Sequence, residues 1–150
     1  MSQPLLSRRS FVVVTFAAAG AGGIWYLNRL PFDGQAILVS QAYAAAIAGD
    51  ITLIDIRRPD EWHATGIGEG AWGIDLRDDN FIEQVEVLVD HQRDAPIALI
   101  CARGVRSNRT GQRLLDAGFT NIIDVPEGML GSSSGPGWLS QGLPVVDYQG

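Results

Sequence analysis

Lysine is absent from the 150 residues, cysteine occurs once, at Cys101, and histidine twice, at His63 and His91. Each shortage closes a class of function. A lone cysteine has no partner for a disulfide and forms no Cys-x-x-Cys pair, so exchange with an internal resolving thiol is excluded. One thiol and two isolated histidines make no zinc spacing, so no metal site is expected and the histidines read as surface or structural residues. Without lysine all eleven positive charges are arginines, and Arg8, Arg9 and Arg29 lie in the first thirty residues. The eight that remain face all seventeen acidic residues, a net of −9. A field of that sign does not bind nucleic acid or an anionic membrane, and it repels anionic substrates except where arginines gather. Arg103, Arg106, Arg109 and Arg113 are such a gathering.

Charge is also missing from Ser10 to Asn28, a stretch rich in Ala, Gly and Val directly after Arg8 and Arg9. A basic start followed by an uncharged segment is a targeting pattern rather than part of a fold. Ser7-Arg8-Arg9-Ser10-Phe11-Val12 resembles the bacterial twin-arginine export signal, without its usual later lysine. Ala19-Gly20-Ala21 suits signal peptidase, whereas Ile24-Trp25-Tyr26-Leu27 extends the apolar character past it. Cleavage and membrane attachment through residues 10–28 are therefore both open, and either leaves the rest in the periplasm, soluble or anchored to the inner membrane. The organisation expected is 1–29 as export signal or N-terminal anchor, 30–36 as a linker broken by Pro31 and Gly34, and 37–148 as one domain. With 46% hydrophobic and 19% charged residues there is room for a single core.

Short apolar runs alternate with helix-like segments along that domain. The runs are Ile37 to Val39, Ile51 to Ile56, Trp72 to Leu76, Ile97 to Cys101 and Ile122 to Val125. Between them Ser40 to Ala48, Pro59 to Thr65, Asn80 to His91 and Ser107 to Ala117 read as helices, with Ser40 as an N-cap and Gly118 as a stop. Phe81, Val85, Leu88 and Val89 give the third helix a core face. Near-continuous apolar strands separated by helices predict an α/β fold, a central mostly parallel five-stranded sheet with helices on both faces.

In such sheets ligands sit beyond the carboxyl ends of the strands, where Cys101 falls. A free thiol with a pKa of about 8.5 is only a few per cent thiolate at neutral pH. Half ionisation at pH 7 needs about 2 kcal/mol of differential stabilisation. A helix N-terminus contributes on the order of 0.3 to 1 kcal/mol, and Arg103 and Arg106 supply further positive charge. The glycine turn after Cys101 aims backbone N–H groups at one point, as an anionic sulfur requires.

Three segments resemble the rhodanese family of persulfide-forming sulfurtransferases. Cys101-Ala102-Arg103-Gly104-Val105-Arg106 matches its Cys-x-x-Gly-x-Arg loop, and Leu53 to Trp62 resembles its upstream Asp-x-Arg and Pro-Asp/Glu-Glu-aromatic signature. Gly137-Trp138 with Gln141-Gly142-Leu143-Pro144-Val145 resembles its closing signature. Gly66-Ile67-Gly68-Glu69-Gly70-Ala71 departs from the usual Gly-His-Ile-Pro-Gly-Ala, which leaves the local turn open.

The resemblance implies a rhodanese-like fold and a two-step transfer without a cofactor, through a covalent persulfide on the catalytic Cys101. Ala102, Arg103, Gly104, Val105 and Arg106 then bind the outer sulfur and the small anionic donor, such as thiosulfate, and Asp55 and Arg57 brace the loop. Two other readings stand beside it. One is a non-catalytic rhodanese-like module that carries sulfur or docks on an exported protein partner. The other is a cysteine phosphatase or arsenate reductase, whose Cys-x5-Arg loop needs arginine where this chain has Ser107. Finally, Gly131-Ser132-Ser133-Ser134-Gly135-Pro136-Gly137 lengthens a stretch that is short in the family, and is expected to overhang the Cys101 pocket and screen donors.

Overall fold

The structure, a computed structural model, describes residues 34–150. The segment expected to be an export signal or anchor, and most of the expected linker, lie outside the described residues.

Five strands, β1 (Gln35–Ala36), β6 (Ile122–Val125), β5 (Ile97–Ile100), β2 (Thr52–Asp55) and β4 (Ala71–Gly73), form one sheet in that order. Every pairing in it is parallel. The apolar runs explain this: β5 and β6 are buried along their whole length, as strands covered on both faces must be. A second, two-stranded antiparallel sheet joins β3 (Ile67–Gly68) to β7 (Val145–Val146), and the sequence reading had no counterpart for it. It forms in the segment that departs from the family pattern. There the Trp138 indole lies so close to Gly68 that a β-carbon would stand 2.7 Å from its ring.

Helices α3 (Phe81–Leu88) and α4 (Val105–Asp116) cover one face, over a core that includes Ile54, Ile56, Leu99, Phe81 and Leu114. Helices α1 (Val39–Ala48) and α5 (Gly137–Ser140) cover the other, over Leu53, Ala98, Ile100, Val125 and Trp138. Alternation along the strands sends successive residues to opposite faces, and Cys101 falls on the α3–α4 side. Helix α2 (Pro59–Thr65) follows β2, with proline in its first turn and acids Asp60 and Glu61 at its positive end.

Several boundaries differ from expectation, among them the run Trp72 to Leu76, whose strand is Ala71–Gly73. The first strand ends at Ala36, and Val39 is already helical, so Ser40 is not the cap. Tertiary contacts replace it: Glu127 Oε1 accepts the Val39 N–H at 3.1 Å and Gln41 Oε1 accepts that of Leu38 at 2.9 Å. Helix α4 starts two residues before Ser107, directly after the left-handed Gly104. Helix α3 stops at Leu88, and Asp90 and His91 turn the chain with positive φ of 53° and 60°.

Candidate active site

Strands β2 and β5 are neighbours from which the chain departs in opposite directions across the sheet, toward β4 and toward β6. This is the switch point of the topology, and in such sheets ligands sit beyond the carboxyl ends of the strands there. Asp55, the last residue of β2, pairs in register with Ile100, the last of β5. Cys101 follows, buried to 1% exposure.

The loop from Cys101 folds back on its own sulfur. The Gly104 N–H donates to Cys101 Sγ at 3.2 Å. Gly104 has φ 82°, and a β-carbon there would strike the carbonyl oxygen of Pro126, so any other residue is strained in both backbone and packing. Helix α4 begins at the next residue, which sets its positive end beside the sulfur. On the other side the turn after β6 is fastened to the loop: the N–H groups of Met129 and Leu130 donate to the carbonyls of Cys101 and Ala102 at 2.8 and 2.9 Å.

The arginines divide into distinct groups. Arg106 is held by Glu61 of α2 through two hydrogen bonds, Nη1 to Oε2 and Nη2 to Oε1, both 2.7 Å. The Arg106 guanidinium pulls the Glu61 pKa down to about 2. Arg103 is exposed and donates to the Gly131 carbonyl at 3.3 Å. Arg109 and Arg113 lie farther along α4, both exposed, with Arg113 over the Phe81 ring at 5.4 Å. The gathering seen in the sequence thus splits into a loop pair and a helix-surface pair.

Asp55 and Arg57 form a buried ion pair at 2.7 Å. The remaining Arg57 hydrogen bonds go to Thr65 Oγ1 and the carbonyls of Glu61 and Gly66, all in or next to α2, and none to residues 101–106. Their reach to the loop runs through α2 and Glu61. Glu61 was within the quoted upstream signature, and its charge opposite to Arg106 was the signal that pairs them.

Sequence reasoning passed over Asp124, and took Ser107 only as a helix start and as the place of a phosphatase arginine. Ser107 is fully buried, and its Oγ lies 3.7 Å from Cys101 Sγ while donating to the Gly104 carbonyl at 3.0 Å. It occupies the place where a Cys-x5-Arg loop would need its guanidinium. Asp124 is 1% exposed, and neither carboxylate oxygen has a hydrogen-bond partner. An apolar strand pattern interrupted by one acid was the available signal.

The Gly131 to Gly137 stretch lies against the loop rather than free of it. Ser132 donates through Oγ to the Pro126 carbonyl at 2.8 Å, and Ser132 and Gly135 bridge the stretch to itself. His63 packs on Tyr148 at 4.9 Å and His91 stands 3.8 Å from Glu86, both away from Cys101. Among the described residues no group of three metal-ligating side chains occurs, and no helix is long and apolar enough to cross a membrane.

The family model described as Rhodanese-like domain matches residues 38–133. An uncharacterized protein of Rickettsia conorii is 26% identical over 121 residues, which span 73% of this chain and 95% of that protein. The polysulfide-sulfur transferase homodimer of Wolinella succinogenes superposes with a TM-score of 0.56 at 26% identity, over 78% of this chain and 81% of that one. A rhodanese-like domain from Anabaena superposes with a TM-score of 0.59 at 14% identity, over 77% and 79% of the two chains, a likeness of fold alone.

Proposed function

The chain belongs to the rhodanese-like family, and from that premise we propose that it is a sulfurtransferase working through a Cys101 persulfide. The Cys101 thiolate attacks the outer sulfur of a donor such as thiosulfate; the S–S bond of the donor breaks, sulfite leaves with its electron pair, and Cys101 holds the sulfur as a persulfide. A thiophilic acceptor then attacks that outer sulfur and restores the thiolate. Polysulfide, for which the Wolinella succinogenes protein is named, is a donor of the same chemistry.

The observation that carries this reading is the Gly104 N–H on Cys101 Sγ at 3.2 Å, in a loop that closes on Arg106. Preorganised dipoles aimed at the sulfur favour the anionic forms, thiolate and persulfide, over the neutral thiol. Arg103, exposed at the rim, is suited to meet the incoming anion. A buried Ser107 beside the sulfur disfavours the phosphatase reading, because a tetrahedral oxyanion would lack its guanidinium clamp.

Residues 1–29 are proposed as the export signal or anchor that places this activity in the periplasm, and an exported protein is proposed as the physiological partner. The test is intact mass of the full chain after incubation with thiosulfate, with and without cyanide, beside Cys101→Ser. The expected result is gain of one sulfur atom on the wild type only, removed by cyanide with thiocyanate formed over many turnovers. Sulfur gained without turnover would make the domain a sulfur carrier or docking module, and no gain would overturn the reading for thiosulfate.

A further inference from the structure

Eight arginines lie among the described residues, and five of them, Arg57, Arg58, Arg77, Arg93 and Arg106, stand in ion pairs with carboxylates. The other three are Arg103, Arg109 and Arg113, all exposed and all within the loop and helix that follow Cys101. Among the described residues none of the three is paired with an acid, although acids outnumber bases along the chain. Neutral groups hold two of them instead. Arg103 donates to the Gly131 carbonyl at 3.3 Å, and Arg113 donates to the Leu76 carbonyl at 3.4 Å and lies over the Phe81 ring. Such contacts fix a guanidinium in place without cancelling its charge. Asp116, on the same helix, accepts from Gln112 at 3.0 Å, and Asp75 and Asp78, on either side of Leu76, accept from Arg77 and from Gln84.

Val105, Arg109 and Arg113 recur at every fourth position of α4, so they share its exposed face, in a stripe about 12 Å long. The stripe begins one residue after Gly104, whose N–H donates to the sulfur. Val105 is 61% exposed, and beside the loop Leu130 is 42% exposed, with its N–H on the Ala102 carbonyl at 2.9 Å. A row of that length exceeds the reach of a thiosulfate ion, and exposed apolar side chains at its head give such an ion nothing to bind. Both features suit an extended acidic chain with an apolar residue near its sulfur-bearing end. We propose that the exposed face of α4, with Arg103 and Leu130 at its head, docks an acidic segment of a protein that exchanges sulfur with Cys101. The net acidity of the remaining surface serves the same end. A partner acidic enough to be held by the stripe is repelled elsewhere, so it reaches Cys101 in one orientation. The same repulsion works against nucleic acid, whose charge runs along its whole length rather than through one segment.

The inference rests on the sulfur-transfer reading for its purpose, but docking is measurable without sulfur chemistry. The probe is a fluorescent oligoglutamate peptide with one central leucine, and the readout is its anisotropy on the full chain carrying Cys101→Ser. An oligoglutamine counterpart is the control, and the same measurement is made with Arg109→Gln and Arg113→Gln combined. Binding of oligoglutamate alone is expected, weakening with added salt. It should fall about tenfold in the double variant, because two exposed ion pairs are lost at about twofold to fivefold each. Arg109→Glu, at a side chain with no hydrogen bond among the described residues, should weaken binding by a similar factor and decides the matter if the double variant does not fold. With Cys101 intact, thiosulfate turnover in these variants should equal that of the wild type, since neither arginine belongs to the sulfur cradle. Undiminished oligoglutamate binding in the variants, as capture by the N-terminal arginines would give, overturns the proposal. So does displacement of the peptide by a single-stranded RNA of equal charge at equal concentration. A raised KM for thiosulfate would make the stripe a collector of small anions and overturns it as well. Absence of thiosulfate turnover in the wild type, with peptide docking as expected, would overturn the function and leave the docking face standing.

Discussion

Glu61 and Arg106, separated by 45 residues, meet in a bidentate pair with both hydrogen bonds at 2.7 Å. One is the first-turn acid of α2 and the other closes the Cys101 loop, so the pair carries the rigidity of the β2–α2 unit into the cradle. Asp55 and Arg57 lie behind it, fastening α2 to the end of β2.

Replacing Glu61 with Gln keeps the shape and removes the charge. Because the Arg106 guanidinium holds the Glu61 pKa near 2, below its ordinary value, the pair stabilises the fold above about pH 4.5, and this is lost as pH falls toward about 2. Both side chains are partly exposed, so solvent screening limits the loss in Glu61→Gln to about 1 kcal/mol at pH 7. Sulfur transfer should suffer more, by about tenfold to a hundredfold, because a displaced Arg106 opens the loop. Denaturant unfolding and thiocyanate formation, measured side by side, check the two numbers. Equal turnover in Glu61→Gln would remove Arg106 closure from the mechanism.

Gly104→Ala should be a damaging methyl addition at the sulfur itself. A left-handed backbone costs an alanine about 1 kcal/mol, and the collision with the Pro126 carbonyl adds to it. The chain relieves the clash by moving the loop, which withdraws the Gly104 N–H from Cys101 Sγ. The expected outcome is a folded protein with a thermal midpoint several degrees lower and little sulfur gained from thiosulfate by intact mass. Wild-type sulfur loading in this variant would mean that the Gly104 N–H does not stabilise the sulfur anion.

How far these relationships were legible beforehand depends on the range over which each is determined. Strand β6 and helix α2 lie where the sequence put them, because hydrophobic runs and a proline in the first helical turn are local signals. The start of α1 was misplaced because its N-terminal donors are satisfied by Gln41 and by Glu127, 88 residues from Val39, rather than by Ser40. No local pattern announces a cap supplied from across the chain. The β3–β7 pairing escaped for the same reason, being two short segments joined only by tertiary contact. At the site, Cys101, Gly104 and Arg106 are close in sequence and could be read together. Glu61 offered a charge opposite to Arg106 and Asp124 an acid within an apolar strand, but the neighbours of Glu61, Ser107 and Asp124 are set by tertiary packing.

Ser132 links the Gly131 to Gly137 stretch to the same region, through its bond to the Pro126 carbonyl whose oxygen also faces Gly104. Ser132→Ala removes that hydrogen bond and is expected to cost about 1 kcal/mol. Deleting Ser132 to Ser134 removes the bridge as well and frees Arg103 from the Gly131 carbonyl. If the stretch screens donors, the deletion raises the rate with a bulky persulfide relative to thiosulfate. An unchanged ratio of the two rates would confine the stretch to a structural part.

Asp124 gives stability a pH dependence of opposite sign to that of Glu61. Burial raises its pKa to about 6, above its ordinary value of about 3.8, so the folded state binds the proton more tightly than the unfolded chain does. Stability contributed by this group is complete below about pH 4, declines as pH rises through 6 and is gone above it, a loss of about 3 kcal/mol for a two-unit shift. Asp124→Asn cannot ionise and escapes the decline. Urea unfolding at intervals from pH 4 to pH 8 should therefore show the variant and the wild type diverging with rising pH, the variant the more stable by about 2 to 3 kcal/mol at pH 8. Parallel curves would mean that the Asp124 carboxyl ionises at its ordinary pKa, and a wild type that gains stability over this range would reverse the sign.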